Sequence, residues 1–136
     1  MQATVGTTIG AAPFSLRVAW TGRALSALAV LFLALDGAIK VLQLVPAVEA
    51  SAQLGYAAGV VLGLGLVELL CLAVYLLPRS APLGAVLLTG YLGGAVATHV
   101  RLGSPIFSVV FPIILGALFW GGLALRDARV WALLRR

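Results

Sequence analysis

Four apolar runs, each close to 20 residues long, limit this chain to very few folds. Their approximate limits are residues 20–44, 57–77, 82–102 and 106–125. A helix of about 20 residues crosses the roughly 30 Å hydrocarbon core of a bilayer. Because only 10% of the residues are charged, against about 25% in soluble domains, a water-soluble bundle is excluded. We predict an all-α integral membrane protein, built as a bundle of four transmembrane helices.

The segments outside the four runs are short. Residues 1–16 are small, polar and unpatterned, which predicts a flexible N-terminal tail ahead of one membrane domain over residues 17–136. The connection at residues 45–56 is expected to hold a turn of helix lying on the membrane surface. Prolines bound a tight turn at residues 78–82.

Basic residues are unequally divided between the two ends of the predicted bundle. Four crossings put both termini on one side, and positive residues concentrate in cytoplasmic loops. We therefore predict cytoplasmic termini and the bacterial inner membrane as the location. The net charge is +5, but the basic residues lie beside the apolar runs and form no basic patch interleaved with aromatics. The predicted partner is therefore lipid and not nucleic acid. The arginines on the side of the termini are Arg17, Arg23, Arg79, Arg126, Arg129, Arg135 and Arg136, against Lys40 and Arg101 at the other end.

Glycines recur at helical spacing in the second and third runs. Such spacings let transmembrane helices approach closely. We expect these glycines to pack helices within one bundle, while a role in joining two copies as a homo-oligomer stays open. The glycines concerned are Gly59, Gly63 and Gly65 in the second run and Gly84, Gly90, Gly93 and Gly94 in the third.

The first run is interrupted by an acid and a base one helical turn apart. At about 100° per residue, Asp36, Lys40 and Gln43 fall within roughly 60° of one another and form a polar stripe. An Asp followed by Lys at i, i+4 favours an ion pair, which lowers the cost of each charge in hydrocarbon. We expect Lys40 to lie near the outer surface, where it could snorkel.

Glu68 is the most informative residue of the second run. It lies about 16 Å along a helix that starts near residue 57, close to the bilayer midplane. A charged acid at that depth costs about 2.5–3.5 kcal/mol, so it should face the bundle interior and be paired or take up a proton. From their positions along the helices, we expect the cations to lie further from Glu68 than Asp36 does.

The third run contributes four more polar candidates. Tyr91 and Thr98 are seven residues apart on one face, and His99 and Arg101 approach the outer surface. One pocket opening outward could hold these groups together with those of the first two helices. The alternative is that some of these groups only join helices, through hydrogen bonds that each contribute on average about 0.6 kcal/mol of stability, and that the others are interfacial anchors.

Catalytic and cofactor motifs are missing from the sequence. Cys71 is the single cysteine and His99 the single histidine, so an internal disulfide, a C-x-x-C centre and bis-histidine haem ligation within one chain are excluded. No nucleophile with its base and no phosphate loop is present. We predict neither a metal site nor an intrinsic cofactor, and no self-contained enzyme.

The polar and glycine positions also follow an order that hydrophobicity alone would not dictate. The segments FLALDGAIKVLQL, LLTGYLGGAVATHVRLGSP and WGGLALRDARVWALL carry this pattern. The sequence resembles the DoxX-like family of small bacterial four-helix membrane proteins over residues 20–134. The resemblance implies a compact four-helix bundle, and it implies a link to quinone-dependent sulfur oxidation or to soluble redox enzymes. The positions that match the family's polar pattern are Asp36, Gly37, Lys40, Glu68, Tyr91, His99 and Arg101.

Three functions remain open from the sequence. The first is an accessory membrane subunit of a redox or stress-response system, with a soluble or membrane redox partner. It would bind a quinone- or lipid-like molecule in the outward-facing pocket. The second is a small proton-coupled transporter, and the third is a structural or assembly factor. The pocket candidates are Asp36, Lys40, Glu68, His99 and Arg101, with Gln43, Tyr91 and Thr98 as weaker ones.

Overall fold

The computed structural model describes residues 15–135, and this part of the chain consists of helices joined by short turns. The N-terminal tail prediction falls mainly on residues outside this range. The first helix already begins at Leu16, where the Ser15 side chain accepts a hydrogen bond from the Val18 amide. The helices are α1 (Leu16–Val41), α2 (Val45–Gln53), α3 (Ala58–Leu76), α4 (Ala81–Arg101), α5 (Ile106–Ala124) and α6 (Ala128–Leu134).

Four of these helices are long and apolar enough to cross a membrane. Helices α1, α3, α4 and α5 have 26, 19, 21 and 19 residues. Many of their large apolar side chains are exposed on the outside of the bundle, including Leu28, Leu35, Leu70 and Ile113. Such a surface is stable only against lipid. The predicted bundle of four transmembrane helices is confirmed.

The four long helices form a closed ring. Helix α1 packs against α3 and α5, and α4 packs against the same two helices from the opposite side. Because successive helices run in opposite directions, the start of α1 and the short helix α6 lie at one end, which we call the terminal end. Helix α2 lies at the other end, the α2 end, where it contacts α1 and α3.

Helix α1 ends deeper in the bundle than its sequence predicts. The apolar run continues to residue 44, but the helix stops at Val41 and Gln43 adopts a left-handed backbone with φ 51°. A Cβ placed on Gly65 would lie 2.8 Å from the Lys40 Cβ, so the last turn of α1 is level with Gly65. Gly65 lies seven residues after the start of α3, or about 10 Å along the helix. A gap is therefore left between the end of α1 and the α2 end of the bundle, and α2 covers this gap.

Two of the predicted glycine contacts are present. Gly65 meets the Gly37 carbonyl, where an added Cβ would come within 3.0 Å of that oxygen, and Gly84 lies directly against the backbone of Tyr75. The intramolecular interpretation is wrong for the others, because a Cβ added to any of them would meet no atom within 4 Å. These are Gly59, Gly63, Gly90, Gly93 and Gly94.

The terminal half of the bundle is an apolar core that also contains two hydrogen bonds made by one tyrosine hydroxyl. Tyr75 is buried in edge-to-face contact with Phe119 at 4.9 Å between ring centroids. Its hydroxyl lies 2.8 Å from the Ser26 hydroxyl and donates to the Phe119 carbonyl at 3.0 Å. This half is closed by fully or nearly fully buried apolar side chains: Ala29, Leu72, Ala85, Leu88, Phe119 and Leu123.

Helix α6, which the sequence did not predict, is fastened to the terminal end by one arginine. The Arg129 guanidinium donates to the carbonyls of Pro78 and Arg79 in the turn between α3 and α4. It also pairs with Asp127 at 2.7 Å. This hydrogen bond lowers the pKa of the Asp127 carboxyl from its ordinary value.

Candidate functional site

Three ionisable side chains meet inside the bundle. The Lys40 Nζ lies 2.6 Å from Asp36 Oδ2 and 2.8 Å from Glu68 Oε2. Asp36 and Lys40 occupy successive turns of α1, whereas Glu68 comes from α3. The predicted pair of Asp36 and Lys40 is therefore part of a cluster with two acids and one base.

Tyr91 of α4 completes this cluster. Its hydroxyl donates to Glu68 Oε2 at 2.8 Å and accepts a hydrogen bond from Lys40 Nζ at 3.1 Å. Three of the four ring helices thus contribute to one hydrogen-bonded group. We call Asp36, Lys40, Glu68 and Tyr91 the polar cluster.

The expectation that the cations lie further from Glu68 than Asp36 does is wrong for Lys40, whereas Arg101 lies on the surface outside the polar cluster. It assumed that α1 reaches the same surface as the start of α3 and that Lys40 lies near that surface. Because α1 stops level with Gly65, Lys40 instead lies beside Gly65 of α3, which is about one helical turn before Glu68. Only 16% of the Lys40 side chain is exposed, so it does not snorkel to the surface.

Exposure differs sharply between the two acids. The Glu68 side chain is 1% exposed, which agrees with the prediction that it faces the bundle interior and is paired. The Asp36 side chain is 35% exposed. Asp36 is therefore the more accessible of the two carboxyl groups.

A cavity lies beside the polar cluster, in the gap between the end of α1 and helix α2. Its volume is about 580 Å³, and most of its wall is apolar. Helix α2 covers it with Pro46, Ala47 and Ala50, and Leu54 follows directly after this helix. Helix α5 contributes Phe111 and Leu115. On α4, Gly90 and Gly94 line the wall without side chains, which leaves room for the cavity.

Two hydrogen-bonded pairs lie nearer the α2 end of the cavity. The Tyr56 hydroxyl lies 2.9 Å from Thr98 Oγ1, and His99 Nδ1 lies 3.1 Å from Ser104 Oγ. Tyr56, Thr98 and His99 all line the cavity, as does Ser51 of α2. They give the upper part of the cavity a polar rim.

Six of the eight sequence-predicted site residues line the cavity, and the other two do not. Gln43 is exposed in the turn after α1 and leaves the predicted stripe because the helix has already ended. Arg101 is exposed on the surface, with its guanidinium beside the turn that contains Gly55. The six are Asp36, Lys40, Glu68, Tyr91, Thr98 and His99.

Tyr56 and Ser51 are cavity residues that sequence reasoning missed. Both belong to the connection between the first two apolar runs, where no helical periodicity marks a face. The surface-lying helix expected there is present, but it is nine residues long and has Ala47 and Ser51 buried. Small residues four apart in this connection were the only signal of an inward face.

The described side chains contain no group of three or more His, Cys, Asp or Glu residues close enough together to hold a metal ion. Cys71 is buried on α3 and lies outside the cavity lining. The chemistry available at the site is therefore that of carboxyl, ammonium, phenol and imidazole groups. Such groups can bind a ligand by hydrogen bonds and can exchange protons with it.

The fold and the site together define a multi-pass membrane protein with a ligand-sized cavity and an ionic cluster inside a four-helix bundle. Residues 24–122 match the DoxX-like family. The chain belongs to this family, and the resemblance drawn from its polar and glycine positions is confirmed. No curated protein and no solved structure matches the chain. The match ends within α5, so it includes the polar cluster and the cavity but not α6.

Proposed function

We propose that this protein binds a small amphipathic molecule, quinone- or lipid-like, in the cavity at the α2 end. In this proposal it serves a redox or stress-response system as an accessory membrane subunit and is not itself a complete enzyme. One observation carries the binding function: a cavity of about 580 Å³ with largely apolar walls lies against a buried ionic cluster. Ligand sites for small molecules have this size and this combination of surfaces.

The energetic argument concerns the buried charges. Ionisable groups within a membrane are costly, and they are generally kept at functional sites. If the polar cluster only joined helices, a close-packed apolar interface would serve as well, because a buried ion pair contributes little net stability. The cluster instead borders open space, where its free oxygen atoms can meet a ligand.

Transport has less support than binding. A pathway through the bundle would have to continue from the cavity to the terminal end. The terminal half is filled by the buried apolar layer that includes Leu72, Leu88 and Phe119. The two acids sharing one ammonium are compatible with proton exchange, and proton flux in liposomes containing the purified protein would favour transport instead.

The first prediction is that filling the cavity removes a bound molecule. In Gly94→Leu, the new side chain would occupy the cavity wall, where no atom lies within 4 Å of an added Cβ. With a ligand in the cavity, the leucine would overpack the site at a cost of about 1–3 kcal/mol, which corresponds to binding that is weaker by about fivefold to 150-fold. The measurement is mass spectrometry of the lipids and quinones that co-purify with each variant.

Gly63→Leu is the matched control for this experiment. Gly63 also has open space around it, but it does not line the cavity. We expect Gly63→Leu to retain the bound molecule that Gly94→Leu loses. Equal amounts of the same molecule on both variants and on the wild type would contradict binding in the cavity.

The second prediction concerns the direction in which the cavity faces. Glu49 on α2 and Arg79 at the terminal end are both exposed, and the native Cys71 is buried. With the termini cytoplasmic, a membrane-impermeant maleimide should label Glu49→Cys in intact cells and Arg79→Cys only after the membrane is permeabilised. The wild type is the unlabelled control. The reverse pattern would place the cavity on the cytoplasmic side.

A further inference from the structure

We infer that the ligand of this cavity carries a hydrogen-bond-donating, positively charged head, with a primary ammonium on an apolar body as the matching chemistry. The inference rests on the proposed binding function and specifies the class of molecule bound. It depends on which atoms of the polar cluster remain free. An anionic head would find a poor match, and so would a quinone, whose carbonyl oxygens only accept hydrogen bonds. Of the two ligand classes proposed above, the inference selects the lipid-like one.

The hydrogen-bond donors of the polar cluster are already in use. An ammonium group has three N–H donors, and Lys40 Nζ directs them to Asp36, Glu68 and Tyr91 at 2.6, 2.8 and 3.1 Å. The Tyr91 hydroxyl uses its own proton in the bond to Glu68 at 2.8 Å. An anionic ligand would have to break one of these bonds to reach the lysine.

The acceptors of the cluster are not all in use. Asp36 Oδ1 and Glu68 Oε1 accept no hydrogen bond from any residue in the range 15–135, since both carboxyl groups bond through their other oxygen. The Asp36 side chain is 35% exposed and lines the cavity. The site therefore offers oxygen acceptors, and a ligand that donates hydrogen bonds complements them.

The charge count points the same way. Among the described residues that line the cavity, Asp36 and Glu68 are the two acids, and Lys40 is the one lysine or arginine. Above the pH at which Glu68 loses its proton, the cluster has a net charge of −1, in a site where low polarity strengthens electrostatic interactions. The hydroxyl groups of Ser51, Tyr56 and Thr98 at the rim add no formal charge. A cationic head would bring the site to neutrality.

The test compares molecules that have one chain and different heads. Decylammonium, decan-1-ol and decanoate are titrated at pH 8, where the amine is protonated and the acid ionised. Native mass spectrometry of the full-length protein in a non-ionic detergent counts the bound copies. Because the chain has a net charge of +5, general electrostatics favours decanoate. We expect the opposite order, with decylammonium binding about tenfold more tightly than decanoate.

Asp36→Asn and Glu49→Gln separate the site from the overall charge. Each removes one negative charge, but Glu49 is exposed and lies outside the cavity lining. Asp36→Asn should weaken decylammonium binding about tenfold, whereas Glu49→Gln should leave it unchanged. The ammonium head could belong to a membrane lipid or to a free amine. Lysophosphatidylethanolamine, a lipid whose ammonium adjoins a phosphate, distinguishes these two sources. Binding equal to that of decylammonium indicates a membrane lipid, and much weaker binding indicates a free amine.

The outcomes distinguish this inference from the proposed function. If decanoate or decan-1-ol binds as tightly as decylammonium, and Gly94→Leu abolishes that binding, the cavity binds amphipathic molecules but the cationic assignment is wrong. If Asp36→Asn and Glu49→Gln have equal effects, the assignment is also wrong. If Gly94→Leu changes the binding of none of the probes, the proposed function fails and the inference fails with it.

Discussion

Replacing Lys40 with glutamine is expected to be the most destabilising single change at the site. Among residues 15–135, Lys40 is the one cation in contact with the carboxyl groups of Asp36 and Glu68, at 2.6 and 2.8 Å. Lys40→Gln leaves the buried Glu68 and the partly exposed Asp36 without a counter-charge. Breaking a buried ion pair by removing one partner costs about 3–5 kcal/mol. The free energy of unfolding, measured in mixed micelles, should fall by that amount.

A rescue variant and a control make this prediction specific. Adding Asp36→Asn and Glu68→Gln to Lys40→Gln removes the uncompensated charges and should recover most of the lost stability. Arg101→Gln removes one positive charge from an exposed position at the α2 end and should have little effect. If Lys40→Gln matched the wild type in stability, the cluster would not contribute as an ionic network.

The same geometry changes the expectation for Asp36. If Asp36 and Lys40 formed an isolated ion pair, Asp36→Asn would leave the lysine without a partner. In the folded protein, Lys40 also bonds to Glu68 and Tyr91. Asp36→Asn should therefore be much milder than Lys40→Gln in its effect on stability, and this makes it a usable probe of ligand binding.

Adding a methyl group at Gly65 is expected to separate α1 from α3. The Cβ of Gly65→Ala would lie 2.8 Å from the Lys40 Cβ and 3.0 Å from both the Gly37 carbonyl oxygen and the Val41 amide nitrogen. Two of these atoms belong to the α1 backbone, so the helix itself must move. Overpacking of this kind costs about 1–3 kcal/mol. The shift also draws Lys40 away from Glu68, so the free energy of unfolding should decrease.

Gly63→Ala is the control on the same helix. A Cβ at Gly63 meets no atom within 4 Å, and alanine is a better helix former than glycine. Its stability should equal or slightly exceed that of the wild type. If Gly65→Ala and Gly63→Ala behaved alike, close contact between α1 and α3 would not be what positions Lys40.

Much of the fold follows from local patterns in the sequence. The lengths of the apolar runs predict three of the four spanning helices to within one residue at each end: α3, α4 and α5. Glu68 stands out because an acid in the middle of such a run needs a partner. The order of polar and glycine positions is enough to indicate the DoxX-like family, which the match over residues 24–122 confirms.

The prediction was wrong where the local sequence pattern does not determine how far a helix extends through the bundle. The apolar run of the first helix continues to Leu44, but the chain leaves the helix at Leu42 and turns at Gln43. Hydrophobicity does not distinguish a helix that reaches the surface from one that stops inside and is covered by a second helix. The predicted positions of Gln43 and Lys40 were wrong for this reason.

By itself, the sequence determined the class of protein, the number of spanning helices and the position of Glu68 along its helix, because all three depend on length and polarity along single helices. Only the tertiary structure decided that Lys40 bridges Asp36 and Glu68, that Tyr91 joins them, and that a cavity lies beside them. These features depend on how far α1 reaches relative to α3, which is decided by the contact of Gly37 with Gly65. That offset is a relation between two helices, and no periodicity within either one records it.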